Sequence, residues 1–153
     1  MIQSKILGDM AENEVIVYLT NIGFNAIKNE DKATRLYYDV IATDINNQVV
    51  TIEVKNDIRS LASGNVAIEY HNSKSDKPSG IMATKADWWV HKICGTLWII
   101  RVSDLLSFTK TEKPVKVISS GGDKNANLLI YTVEQFTKAA KPLTSITKVE
   151  DLL

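Results

Sequence analysis

The chain has 153 residues, enough for one hydrophobic core, and 44% of them are hydrophobic, an ordinary share for a globular protein. Eighteen basic residues balance eighteen acidic ones, which argues against binding nucleic acid by bulk positive charge alone. No apolar run approaches the roughly 20 residues that a membrane-spanning helix needs, so no membrane partner is expected. The first stretch, MIQSKILGDMAENEV, brings acidic residues where a secretory signal has its apolar segment, and an intracellular location is expected. Cys94 is the only cysteine, which excludes a disulfide framework and a zinc cluster. Between Ile93 and Gly95-Thr96-Leu97 it reads as a small buried hydrophobe.

Residues 7–22 read as an amphipathic helix, with Ala11, Val15, Tyr18, Leu19 and Ile22 at helical spacing and Gly23 as the stop. Residues 24–27 make a short first strand, and 36–42 and 49–54 make the next two, rich in β-branched and aromatic residues. A polar turn at 44–48 separates the latter pair, and Asp44 reads as a turn residue. The polar segment 56–63 leads to a strand at 65–71, followed by the loop SKSDKPSG over 73–80. Residues 83–93 read as a helix capped by Thr84, with Trp88 and Trp89 near its middle; being adjacent, only one of the two is expected in the core.

Residues 97–102 form an apolar strand, and Ser103 starts a helix through Phe108. Segments 115–118 and 128–133 flank the turn-rich SSGGDKNAN as a hairpin, and 134–140 is a last helix. The expected organisation is a single domain over 1–153, with its core at about 7–140 and a loosely held tail at 141–153. A helix, a run of strands, a helix and further strands indicate an α/β or α+β sandwich.

Chemistry concentrates between residues 12 and 55. Asp39 lies in an apolar run, where an unpaired carboxylate is costly and a metal ion relieves the cost. Glu53 and Lys55 are two apart on a strand and project to one face; if the two runs pair, Asp39 lies beside them. Two carboxylates and a lysine on one face are the parts of a divalent-metal phosphodiesterase. Asp39 and Glu53 supply oxygen ligands suited to Mg²⁺, the Val54 carbonyl adds another, and Glu12 contributes from the helix. Lys55 orients or activates the attacking water, or offsets charge on the scissile phosphate.

Other candidates are weaker. Glu14 competes with Glu12 but lies on a different helix face and reads as solvent-facing. Asp57 reads as a strand-end residue and His71 as a surface residue, while Glu69, in the alternating stretch 66–71, is a further candidate for the site. Lys74, Lys77, Ser79 and Lys85 surround the polar loop and are candidates for contact with a nucleic-acid backbone.

An acid, a gap of thirteen residues, and then Glu53-Val54-Lys55, behind a helix reading GDMAENEVIVYLTNIGF, resembles the PD-(D/E)XK nuclease superfamily. Asp39 follows Tyr38 where that pattern has proline. The resemblance covers residues 7–55, and the form of the helix is similar to Holliday-junction-resolvase-like and phage members. KPSGIMATKADWW is similar to segments of phage-type nucleases of the same superfamily. It implies a restriction-endonuclease-like core, a mixed central sheet flanked by helices, and a Mg²⁺-dependent DNA endonuclease in which Mn²⁺ substitutes. Junction resolvase, phage nuclease and homing-type endonuclease stay open. It also implies a homodimer, since one site cuts one strand of duplex or branched DNA. An RNA nuclease and a non-catalytic nucleic-acid-binding module on the same fold are the alternatives.

Overall fold

Strand β3, Val49–Asp57, is apolar on one side and polar on the other, and the fold follows from what covers each side. Val50, Ile52 and Val54 enter a core with Ala11, Val15 and Leu19 of helix α1, Ile2–Asn21. Glu53, Lys55 and Asp57 alternate with them and face the opposite way. The computed structural model describes residues 2–119 and 125–153, with Ser4 described by its backbone alone.

β1 (Asn25–Lys28), β2 (Val40–Thr43) and β3 pair as an antiparallel meander. On its other side β3 runs parallel to β6, Trp88–Ile93. β6 pairs antiparallel with β7, Thr96–Arg101, and the two-residue β10, Lys141–Pro142, completes the edge. The result is a six-stranded mixed sheet in the order β1-β2-β3-β6-β7-β10.

The chain between β3 and β6 contains the one-turn helix α2, Ser60–Ser63, and strands β4, Asn65–Asn72, and β5, Lys77–Pro78. With β8, Lys116–Ile118, and β9, Ala126–Thr132, these build an antiparallel sheet in the order β5-β4-β9-β8. A second core lies between the two sheets. It gathers Val66 and Ile68 of β4, Trp89 and Ile93 of β6, Phe108 of α3 (Val102–Thr111) and Phe136 of α4 (Val133–Ala139). The mixed central sheet is thus flanked by α1 on one face and by α3, α4 and the smaller sheet on the other, the α+β arrangement expected. Among the described residues no helix is long and apolar enough to cross a membrane.

Several elements differ from expectation. Residues 88–93 are a strand, not the second half of a helix over 83–93. WWVHKI alternates between two cores, so both tryptophans bury, Trp88 at 8% exposure towards α1 and Trp89 at 1% towards the second sheet. The strand expected at 36–42 is confined to Val40–Thr43, because residues 31–37 close turns in which the Arg35 amide donates to the Asp31 carbonyl at 2.8 Å. Arg101 rather than Ser103 precedes α3, which puts Ser103 inside its first turn.

Cys94 is exposed, at φ 50° in the tight β6–β7 turn, instead of buried. β8 and β9 pair as the expected hairpin, while the turn expected between them falls partly on residues 120–124, outside the described residues. Asp44 does close the β2–β3 turn, accepting the amides of Asn46 and Gln48 at 2.9 and 2.7 Å.

The C-terminal segment is not a loose tail. Leu143, Ile146 and Leu152 are buried in the α1-side core. The Trp88 indole donates to the Leu152 carbonyl at 3.1 Å, and the Tyr18 hydroxyl donates to the Ile146 carbonyl at 2.6 Å. Replacing Leu152 by Ala is expected to cost about 2–4 kcal/mol in urea denaturation, because the side chain fills a closed core. Removing residues 143–153 is expected to cost more, since it uncovers Trp88 as well. Stability within about 0.5 kcal/mol of wild type in the truncated chain would restore the loose-tail reading.

Candidate active site

Ladder register places the central residues. The Asp39 amide donates to the Ile52 carbonyl at 2.9 Å, so the residue just ahead of β2 is anchored to β3. One carboxylate oxygen, Asp39 Oδ2, then accepts the Val54 amide at 2.8 Å. Val54 thus ties Asp39 to β3 through its N–H. Two residues apart on β3, Lys55 Nζ and Glu53 Oε1 are 2.8 Å from each other.

Glu12 reaches the same cluster from α1. Its Oε2 is 3.4 Å from Lys28 Nζ of β1, in an ion pair that is not an aligned hydrogen bond. That oxygen is buried and has no hydrogen-bond partner among the described residues. The Lys28 ammonium donates instead to Asp9 Oδ1 at 3.0 Å, one helical turn ahead of Glu12. Glu14 faces solvent, as expected, and pairs with Lys92 at 2.6 Å.

The three acids share one electrostatic condition. Burial pushes the Glu53 carboxyl from 4.5 to about 7; Lys55 opposes the rise, and Asp39 and Glu12 add to it. Asp39 is also raised by burial, against the Val54 amide and the charges of Lys55 and Lys28. Glu12 is raised by burial and by the charge on Asp39. Lys55 is held above its ordinary value: burial works against its charge, but Glu53, Asp39 and Glu69 outweigh that. Burial is the largest cause at all three acids, and repulsion between the carboxylates adds to it at Glu53 and Glu12.

Glu69, on β4, joins the site. It acts on the charge of Lys55, and both line a cavity of about 310 Å³ together with Arg59, Trp89 and His91. Gly80 holds this side in place: at φ 53° its position leaves no room for a Cβ, which would stand 2.1 Å from the Glu69 carbonyl oxygen. Asp57 is more than a strand-end residue. Its Oδ2 accepts the Ala67 amide at 2.9 Å and lies 3.0 Å from His91 Nε2. The Trp89 indole N–H donates to His91 Nδ1 at 3.1 Å, so the His91 proton sits on Nε2 and points at Asp57. Trp89 in turn lies under Lys55 Nζ, 5.6 Å from the ring centroid.

The loop candidates divide. Lys85 is exposed with its ammonium 4.0 Å from the Tyr37 ring centroid, two residues from Asp39, and its amide donates to the Tyr37 carbonyl at 3.1 Å. Lys74 and Lys77 are exposed around the β4–β5 turn of the smaller sheet. The Ser79 hydroxyl is buried and without a partner among the described residues, a placement at odds with the expected phosphate contact. His71 is partly buried, between Asp76 at 3.1 Å and Asn127 at 2.9 Å. Lys28 and Asp9 were not singled out from the sequence, although Asp9-x-x-Glu12 sets two acids on one helix face.

Among the described residues no three His, Cys, Asp or Glu side chains converge closely enough to form a metal cage. Mg²⁺ does not require one: it keeps several waters and takes one or two carboxylates. Hard oxygen donors, raised carboxyls and the orphaned Glu12 oxygen fit such an ion.

The sequence matches no protein-family model and no curated protein. Among solved structures the chain is similar to a bacterial homing endonuclease, I-Ssp6803I, at 20% identity and a TM-score of 0.52, over 68% of this chain and 72% of that one. A Holliday junction resolvase from Archaeoglobus fulgidus aligns at 13% identity and a TM-score of 0.49, over 92% and 94% of the two chains. The chain has a restriction-endonuclease-like fold, a mixed central sheet flanked by helices.

Glu53 binds its proton more tightly folded than unfolded, so between pH 4.5 and about 7 the native state holds more protons and stability falls as pH rises. Glu12 and Asp39, raised as well, act in the same direction. In EDTA the protein is expected to lose up to about 3 kcal/mol of stability to urea between about pH 5 and about pH 8. Glu53→Gln should flatten that slope. A wild-type stability that climbs over this range would contradict the description of the acids as buried carboxyls with raised values.

Proposed function

We propose that the protein is a Mg²⁺-dependent DNA endonuclease, with Mn²⁺ able to substitute, that hydrolyses phosphodiester bonds in duplex or branched DNA. The observation that carries the reading is the acid cluster itself: Asp39, Glu53 and Glu12 hold raised carboxyls beside a lysine 2.8 Å from Glu53. The likeness of the fold to a homing endonuclease supports it.

Asp39 and Glu53 would hold the cation, with Glu12 behind them and the Val54 carbonyl as a further oxygen donor. When bound, the cation supplies Lewis-acid activation of water and offsets charge on the phosphate. Lys55 is kept charged and aimed by Glu53, which suits it to orient the attacking water against the phosphate. Glu69 would steady Lys55 from the opposite sheet. Lys74, Lys77 and Lys85 would contact the DNA backbone and set its position without reading bases. Cutting both strands calls for two copies of the site, so the working form would be a homodimer.

The test compares wild type with Lys55→Ala on plasmid, linear duplex, four-way junction and single-stranded RNA, in Mg²⁺, Mn²⁺ or EDTA. DNA cutting is expected in either metal and not in EDTA, with a loss of at least about 100-fold in the variant and unchanged DNA affinity. Cutting confined to RNA would reassign the polymer. No cutting of any substrate, with DNA bound equally by both proteins, would replace the enzyme by a nucleic-acid-binding module.

A further inference from the structure

The acids of the candidate site are matched by two lysines of different kinds. Lys55 stands on the same strand as Glu53 and is fixed to it. Lys28 stands on the neighbouring hairpin and divides itself between two acids of α1, 3.0 Å from Asp9 and 3.4 Å from Glu12. Asp39 has the Val54 amide as its closest donor. Around three carboxylates, therefore, Lys28 and Lys55 together provide the charge of one divalent cation.

The partition of Lys28 is unequal. Its hydrogen bond goes to Asp9, which is 40% exposed, while Glu12 Oε2, on a side chain only 15% exposed, receives charge without a hydrogen bond. A buried carboxylate oxygen half-served by a movable lysine is ready for a better cation. The lysine has somewhere to go when one arrives, because Asp9 lies one helical turn along the same face.

We infer that Lys28 is an internal counter-ion that competes with the divalent cation for Glu12, and that Asp9 is the acceptor that draws it off, so the pair sets the metal affinity of the site. The inference rests on the metal-binding reading given above. With no metal, Lys28 limits the repulsion among Glu12, Asp39 and Glu53. On loading, the Lys28 ammonium shifts wholly to Asp9 and leaves Glu12 Oε2 to the cation or to a water of its shell.

The two partners then have opposite effects. Lys28→Met removes the competitor and tightens metal binding. Asp9→Asn removes the acceptor, leaves Lys28 on Glu12, and weakens binding. Because Asp9 acts only through Lys28, the double variant behaves as Lys28→Met alone. A simple field effect predicts otherwise: the lost acid would weaken binding equally in both backgrounds.

The experiment is a Mn²⁺ titration of the full chain without DNA, read as free Mn²⁺ by electron paramagnetic resonance at one pH, with Glu53→Gln as the control for site occupancy. Lys28→Met should bind roughly two- to fivefold more tightly than wild type, and Asp9→Asn more weakly by a similar factor. Lys28 is 42% exposed, so its loss leaves the fold in place; Lys28→Gln serves as the second variant, and thermal unfolding in EDTA checks both. If wild type binds Mn²⁺ and Glu53→Gln does not, yet neither Lys28 variant binds more tightly, the counter-ion role is overturned while the site stands. An Asp9→Asn effect that persists in the double variant overturns it too. If wild type and Glu53→Gln bind alike or not at all, the metal site itself is wrong, and the nuclease reading fails with it.

Discussion

β3 has protein on both faces, and every special feature of the site descends from that constraint. A strand in the middle of a covered sheet is usually apolar throughout. This one carries Glu53, Lys55 and Asp57 on the side that meets the second core, where water is scarce and each charge needs a partner within reach. Glu53 finds Lys55 two residues on, and Asp57 finds His91 on the neighbouring strand and the Ala67 amide across the sheets. The partners differ in what they leave over. Asp57 ends in a hydrogen-bonded chain that fixes the His91 tautomer through the Trp89 indole. Glu53, Asp39 and Glu12 end with their carboxyls raised and one oxygen orphaned.

On the proposed function, that contrast separates a structural polar group from a catalytic one. Replacing a buried ion pair by apolar residues is often neutral or stabilising, so stability alone gives no reason to keep one here. A satisfied chain such as Trp89–His91–Asp57 holds strands in register and orients the aromatic floor under Lys55. An unsatisfied cluster does the reverse: it costs stability in the free protein, and on the proposed function a bound cation would release that cost. Places where the rules of satisfied burial are broken are where function is expected.

The sequence made the acid cluster legible because chemistry restricts residue type and a strand restricts direction. Asp39 and Glu53-Val54-Lys55 needed only the β2–β3 hairpin to meet, and Asp44-Ile45-Asn46-Asn47-Gln48 announces its turn. Long-range partners were less visible. Trp88–Ile93 has bulky residues at every position, and without knowing that both sheet faces are covered, the run fits a helix as easily as a strand. The terminal segment looks loose by composition, although Leu143, Ile146, Val149 and Leu152 recur every three residues, a spacing that marks the buried side of its turns. Lys28 could not be found from pattern: its role depends on β1 lying against α1, which no local spacing encodes.

A zero net charge has a consequence for how a polyanion would approach this site. Long-range steering by the whole molecule is weak, so on the proposed function affinity must come from local exposed cations, Lys85, Lys74 and Lys77. Three buried carboxyls facing a phosphate would otherwise repel it. A divalent cation seated among them reverses the sign of that local field, so on the proposed function DNA and metal each favour the other. By linkage the coupling is reciprocal: whatever factor the metal adds to DNA affinity, DNA adds to metal affinity. The metal-free protein is then the weak binder of both, and its internal lysines need hold the acids only until the two ligands arrive together.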